Sequence, residues 1–214
     1  MEPREDPMQL AHRRGTGAFR GPAAERSRGA ALVEAVFITP VFMMLVLGLM
    51  EIGLAMNDRL AVAHTARAGT RVASASGNDL YADYGIIQSI KRESAAVPRD
   101  QIKLIVIYRA TRFGEAPPKA CTDGSSIAPT SPTSTACNVY TAEDLKAEKF
   151  KWGCKTEYSL DKYWCPTGRV VARTVGPDYV GVWVKVEHKY ITRMFGTTVQ
   201  LTDQSVIRLE PRTR

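Results

Sequence analysis

Glu34 stands at the head of a charge-free run, AVFITPVFMMLVLGLM, that spans Ala35 to Met50 and ends at Glu51. A carboxylate in or beside a membrane is costly unless paired, which makes Glu34 a functional candidate whose partner must be named. Pro40 lies inside the run, removes one backbone donor and should kink or loosen a helix there. The plainer alternatives are a Glu34 that snorkels to the interface and a tolerated membrane kink. Four cysteines, Cys121, Cys137, Cys154 and Cys165, could form disulfides or hold zinc. Their gaps lack the short Cys-x-x-Cys spacing and no histidine lies near, so two disulfides are the better reading. Three pairings are open, and proximity in sequence favours Cys121–Cys137 with Cys154–Cys165. His12, His64 and His188 are scattered. Asp79 and Asp83 could share one helical face, but a solvated helix N-terminus is the simpler account. Hydrolase elbows, zinc-protease helices and phosphate-binding glycine loops are absent from the sequence, so no catalytic residue, metal or cofactor is expected.

These groups must be positioned by a long helix. A helix through the run and its flanks, rising about 1.5 Å per residue, approaches the ~30 Å thickness of bilayer hydrocarbon. The run is apolar all round, as a span is. Before it, residues 1–29 carry Arg4, Arg13, Arg14, Arg20, Arg26 and Arg28 among glycines and prolines. Such a leader cannot bury a core. Only Arg59 follows close behind the span, so the expected orientation is N-terminus in the cytoplasm and C-terminal domain outside. All four cysteines fall on that outer, oxidising side. Nucleic acid is not an expected partner, because Phe19 is the leader's one aromatic residue and the formal net charge of +7 is not concentrated in a patch. Gly53-Leu54-Ala55 offers a competing reading as a secretory signal cut before Met56, although the run exceeds a usual signal core.

Arg28-Gly29, Ala30-Ala31 and a glutamate five residues after the glycine resemble a type IV prepilin processing site. The resemblance implies cleavage between Gly29 and Ala30 by a prepilin peptidase, and pairing of Glu34 with the freed Ala30 amine of a neighbouring subunit. That pairing is physically sensible, since each charge offsets the other's desolvation. The longer stretch GAALVEAVFITPVFMMLVLGLMEIGLAMNDRLAVAHTARAGTRVAS is similar to the N-terminal signature of the TadE-like family, and YITRMFGTTVQLTDQSVIRLEP resembles that family's C-terminal strands. The resemblance implies a non-enzymatic, pilin-like minor component of a Tad (tight adherence) pilus or secretion system. Its partners would be other pilin-like subunits, the assembly machinery, the peptidase and membrane lipid. A single-span or secreted envelope protein that binds a ligand through its disulfide-stapled loop is the alternative.

Three segments are therefore expected: a leader at 1–29, an assembly helix at 30–77 and an exported α+β domain at 78–214 with a loop-rich insert at 111–168. Ala61, Thr65, Ala68 and Val72 predict a small-residue seam, His64 beside it a solvated or hydrogen-bonded packing residue rather than a catalytic base, and Gly77 the helix stop. Leu80 to Ala96, with Leu80, Tyr84, Ile87 and Ile90 or Lys91 at mixed helical spacing, predicts a second, shorter amphipathic helix that ends before Pro98. Gln101–Ala110 predicts a strand with Ile102, Leu104, Val106 and Tyr108 on one face and Ile105 and Ile107 on the other. Thr141 and Asp144 predict a short capped helix. Further strands are expected at GRVVARTV, at Asp178 to Ile191 with Val180, Val182, Val184 and Val186 inward and a largely wet outer face, and at the C-terminus with a bulge near Asp203. The result is a small antiparallel sheet against a long N-terminal helix.

Overall fold

A computed structural model describes residues 23–211; the expectations for the first 22 residues, His12 and the arginine-rich leader among them, lie outside these. Helix α1 runs from Ala23 to Ser76 with Pro40 inside it. The chain divides into two compact units between Val46 and Leu47. Gly77 ends the helix in a left-handed conformation (φ +53°) that a side chain would resist, and its N–H donates to the Ala73 carbonyl at 3.0 Å.

Within the unit that begins at Leu47, the last third of α1 packs through Val62, Ala66 and Ala73, joined by buried Thr65, Thr70 and Ser74. These polar side chains are satisfied locally or by the sheet. Thr65 Oγ1 donates to the Ala61 carbonyl (2.7 Å), Thr70 Oγ1 meets Ser205 Oγ (3.0 Å), and Ser74 Oγ donates to the Arg208 carbonyl (3.0 Å). The seam thus sits one residue on from the expected Ala61–Val72 line. Ala61 and Val72 border the core rather than fill it. Alanine is so frequent here that small-residue spacing does not fix the helical phase. Gly69 does: a methyl group there would lie 3.2 Å from Val182 and 3.3 Å from Ile90.

Helix α2, Ala82–Glu93, buries Ile86, Ile87 and Ile90, and a 3-10 turn at Ser94–Ala96 closes it ahead of Pro98. The sheet holds four antiparallel strands in the order β2-β1-β3-β4: β1 Ile102–Ala110, β2 Cys137–Tyr140, β3 Tyr179–Lys189 and β4 Thr198–Arg208. The fold is α+β, with a long apolar helix and an antiparallel sheet, as the residues predict.

Several strand details differ from expectation. The GRVVARTV segment is a 3-10 turn and loop instead of a strand, because Arg169 turns inward and the Val170 N–H donates to the Asp178 carboxylate at 2.9 Å. The remaining strand is β2, which lies in a stretch that reads as loop. It pairs Ile105 with Tyr140 through Tyr108 with Cys137. The bulge is also elsewhere. β4 stays in register past Asp203, whereas β1 shifts between Ile102 and Leu104. That shift moves Ile102 to the same core as Ile105 and Ile107.

The two sheet faces carry separate cores. Val180, Val182, Val184 and Val186 meet α1, α2, Tyr140 and Trp152 on one side, as expected. The other face is not wet at its centre: Val106, Tyr108, Trp183 and Val206 are covered there by Cys121 and Cys137. The insert supplies that cover, which alternation within β3 alone could not reveal. Nor does the expected capped helix after Thr141 form. Asp144 does accept from the Thr141 N–H (2.7 Å), but only 3-10 turns follow at Asp144–Lys146 and Lys149–Lys151.

Gly181 leaves room for the Tyr108 ring on this second face; a Cβ at Gly181 would stand 2.2 Å from that ring. Gly181→Val should therefore cost at least the roughly 1–3 kcal/mol typical of an overpacked core, and a lowered midpoint in thermal unfolding of the detergent-solubilised protein would report it.

Candidate assembly segment

Gly29 and Ala30 lie in helical, exposed positions at the head of the apolar stretch, and Glu34 is exposed one turn further on. Every large apolar side chain from Leu32 to Met50 is exposed, Phe37 and Leu49 at 72%. Ala35, Pro40 and Met50 share this uncovered surface. Such a surface is not left to water: each side chain of this kind gains roughly 1.5–3 kcal/mol on leaving it. Among the described residues, Gly29–Ser76 is the helical stretch long and apolar enough to cross a membrane.

Past Met50 the helix becomes tied to the sheet. Glu51, the charge that ends the apolar run, is only 2% exposed. Its carboxylate accepts the Thr192 N–H at 2.8 Å and the Thr192 hydroxyl, so the β3–β4 hairpin tip closes over it. Two turns on along the same face, Asp58 meets His188 Nδ1 at 2.6 Å, near the end of β3. Neither link was identifiable from local spacing, since each partner is more than a hundred residues away. His64 is exposed on α1, as expected.

The insert is fastened by a buried polar node. Asp83 is fully buried, so its expected place at a solvated helix N-terminus is overturned, whereas Asp79 is exposed. Arg169 Nη2 pairs with Asp83 Oδ1 at 2.5 Å, and Asn138 Nδ2 and the Tyr140 hydroxyl donate to Oδ2 at 2.9 and 2.8 Å. The Arg169 guanidinium lies 4.2 Å from the centre of the Trp164 ring. Asn138 in turn receives the Trp164 N–H on Oδ1 (2.9 Å). Burial, with the Asp83 charge beside it, holds the Tyr140 phenol well above its ordinary pKa. Burial likewise raises the Asp161 carboxyl, although Gly153 and Cys154 N–H groups donate to it at 2.8–3.0 Å. Disulfides join Cys121 to Cys137 and Cys154 to Cys165 on either side of this node. Asp83 and Asn138 are held by these partners, while Arg169 Nε and Nη1 and the Trp164 indole N–H are buried without a hydrogen-bond partner; the node ties α2 and β2 to the loop that carries Trp164 and Arg169.

Among the described residues, one N-terminal helix is long and apolar enough to anchor the chain in a membrane, and a small α+β domain follows it; this defines the class, a protein with a membrane anchor. Within it, residues 29–71 match the family model described as TadE, TadE-like protein. The matched stretch runs from the Gly29–Ala30 junction through Glu34, Pro40 and Glu51 into the packed part of α1, and it stops short of α2 and the sheet. No curated protein and no solved structure matches the chain.

Proposed function

We propose that this chain is a pilin-like structural subunit of a Tad-type pilus or secretion apparatus, carried to the membrane with its N-terminus in the cytoplasm and cleaved after Gly29. The observation that carries this reading is the run of exposed large apolar side chains from Leu32 to Met50, headed by Glu34 and lying inside the TadE-like match. In this account the leader is removed, residues 30–77 insert and assemble, and residues 78–214 stand outside the membrane. Glu34 receives the Ala30 ammonium of a neighbouring copy, which makes processing a precondition of assembly: before the cut there is no amine at that place. The partners are other pilin-like subunits, lipid, the peptidase and the assembly machinery.

The geometry at Glu51 weighs against the secretory alternative. A cut before Met56 would strip away the carboxylate that the Thr192 N–H and hydroxyl hold, and would leave the hairpin tip without its partner. The envelope-binding alternative keeps one observation in its favour. Phe150 and Tyr158 stand 73% and 82% exposed on the insert, as contact residues would. Pilus dependence separates these readings. The protein should appear in the sheared surface fraction of cells with an intact Tad apparatus and be lost from it when the apparatus is deleted. Equal recovery from both strains would favour the envelope protein.

A further inference from the structure

We propose that the tip of the β3–β4 hairpin, residues 190–197, is a second membrane contact, in which Ile191, Met194 and Phe195 enter the lipid beside α1. The inference rests on the reading of α1 as a membrane span and adds a lipid-facing element that is distant from that span in sequence.

Position is the first argument. Gly48 belongs to the charge-free run, three residues before Glu51, and it is buried because the Phe195 ring lies over it: a Cβ at Gly48 would be 3.6 Å from that ring. With a rise of about 1.5 Å per residue, Gly48 stands roughly 4–5 Å to the apolar side of Glu51. A hairpin that reaches Gly48 therefore reaches the level of the hydrocarbon boundary that Glu51 marks.

Composition is the second. Hairpin tips in water favour polar turn residues, yet here Ile191 is 72% exposed, Phe195 51% and Met194 42%. The patch they form is continuous with exposed Leu47, Met50 and Leu54 on α1. Lipid that surrounds the helix would surround the tip as well, and this continuity favours lipid over a separate protein partner. Arg193 is placed among them, a cation suited to headgroup phosphates, and Tyr190 is an aromatic of the kind that collects at the interface.

Backbone satisfaction is the third. Polar backbone groups near hydrocarbon must find internal partners. The Thr192 N–H donates to Glu51, the Met194 N–H to Thr192 Oγ1 (3.3 Å), the Tyr190 N–H to the Thr197 carbonyl (3.0 Å) and the Gly196 N–H to the Arg193 carbonyl (3.3 Å). Glu51 thus acts as the polar plug of a tip whose outer surface is apolar.

Depth measurement tests the idea. The four native cysteines are all disulfide-bonded, so one added cysteine gives a single site for a nitroxide label. Full-length protein would be placed in phosphatidylcholine–phosphatidylglycerol vesicles carrying Ile191→Cys or Phe195→Cys. Phe42→Cys, within the apolar run, and Val175→Cys, in the exposed loop before the opposite end of β3, serve as references. Labels at 191 and 195 should both be more accessible to oxygen than to a water-soluble nickel chelate, at a depth between the two references. The proposal is overturned if either label behaves as Val175 does while Phe42 is lipid-embedded. It is also overturned if both are shielded from both reagents, which would place a second copy of the chain on the tip. An aqueous signal at Phe42 would overturn the span itself, and the hairpin contact with it.

Discussion

Replacement of Glu34 by alanine is expected to leave cleavage after Gly29 largely intact and to abolish incorporation into the surface structure. The proposed contact is a carboxylate and an ammonium, both withdrawn from water. Removal of one member of such a pair strands the other, at a cost of roughly 3–5 kcal/mol. With about 1.4 kcal/mol per tenfold change in an equilibrium, incorporation at each contact falls by a factor on the order of a hundred or more. The apolar surface that surrounds Glu34 is unchanged in this variant, so membrane insertion persists and processed protein should accumulate in the membrane. Immunoblots of membrane and sheared surface fractions, read for both size and amount, separate the two effects. Normal recovery of Glu34→Ala in the sheared fraction would sink the pairing.

The second large effect is expected at the buried node. Arg169→Met leaves Asp83, fully buried, with only Asn138 and Tyr140 as donors. An uncompensated buried carboxylate costs about 3–5 kcal/mol, a large part of the ~5–15 kcal/mol that holds a typical domain together. At roughly 2–4 °C per kcal/mol for a chain of this size, the melting temperature of the detergent-solubilised protein should fall by about 6–20 °C. Adding Asp83→Asn to Arg169→Met should recover part of the loss, since no buried charge then remains unpaired. A melting temperature for the single variant equal to that of the parent would show that the ion pair contributes nothing net. A double variant less stable than the single one would show that Asp83 is not the group left stranded.

What could be read from the residues depended on how locally each feature is determined. The charge-free run, the helix stop at Gly77, the inward valines of β3 and the pairing of neighbouring cysteines are all set by residues within a few turns or one loop of each other, and spacing suffices to find them. β2 could not be found this way. Cys137, Asn138 and Tyr140 are buried and Val139 is half-buried, so both faces are covered and alternation, the usual strand signal, is missing. GRVVARTV shows the opposite failure. Its β-branched residues look like a strand, yet Arg169 within it is drawn to Asp83, 86 residues away. The Ile102 misplacement followed from a one-residue register shift, which changes the face of every side chain before it. For the candidate segment, the types and order at Gly29, Ala30 and Glu34 were legible and form one end of the family match. Glu51 and Asp58 were visible only as acids on a helix, because their partners Thr192 and His188 come from the far hairpin. One signal was available: Glu51 and Asp58 are seven residues apart, which places both on one face.

The central claim is that the chain is processed as a prepilin. The most direct measurement is the N-terminal residue and intact mass of the protein recovered from its native membrane. The expected result is a chain that begins at Ala30, with a free amine where Glu34 of a neighbour requires it. A chain that begins at Met56, or one left uncut, would contradict the claim: the first would identify an ordinary secretory signal, and the second a plain membrane anchor.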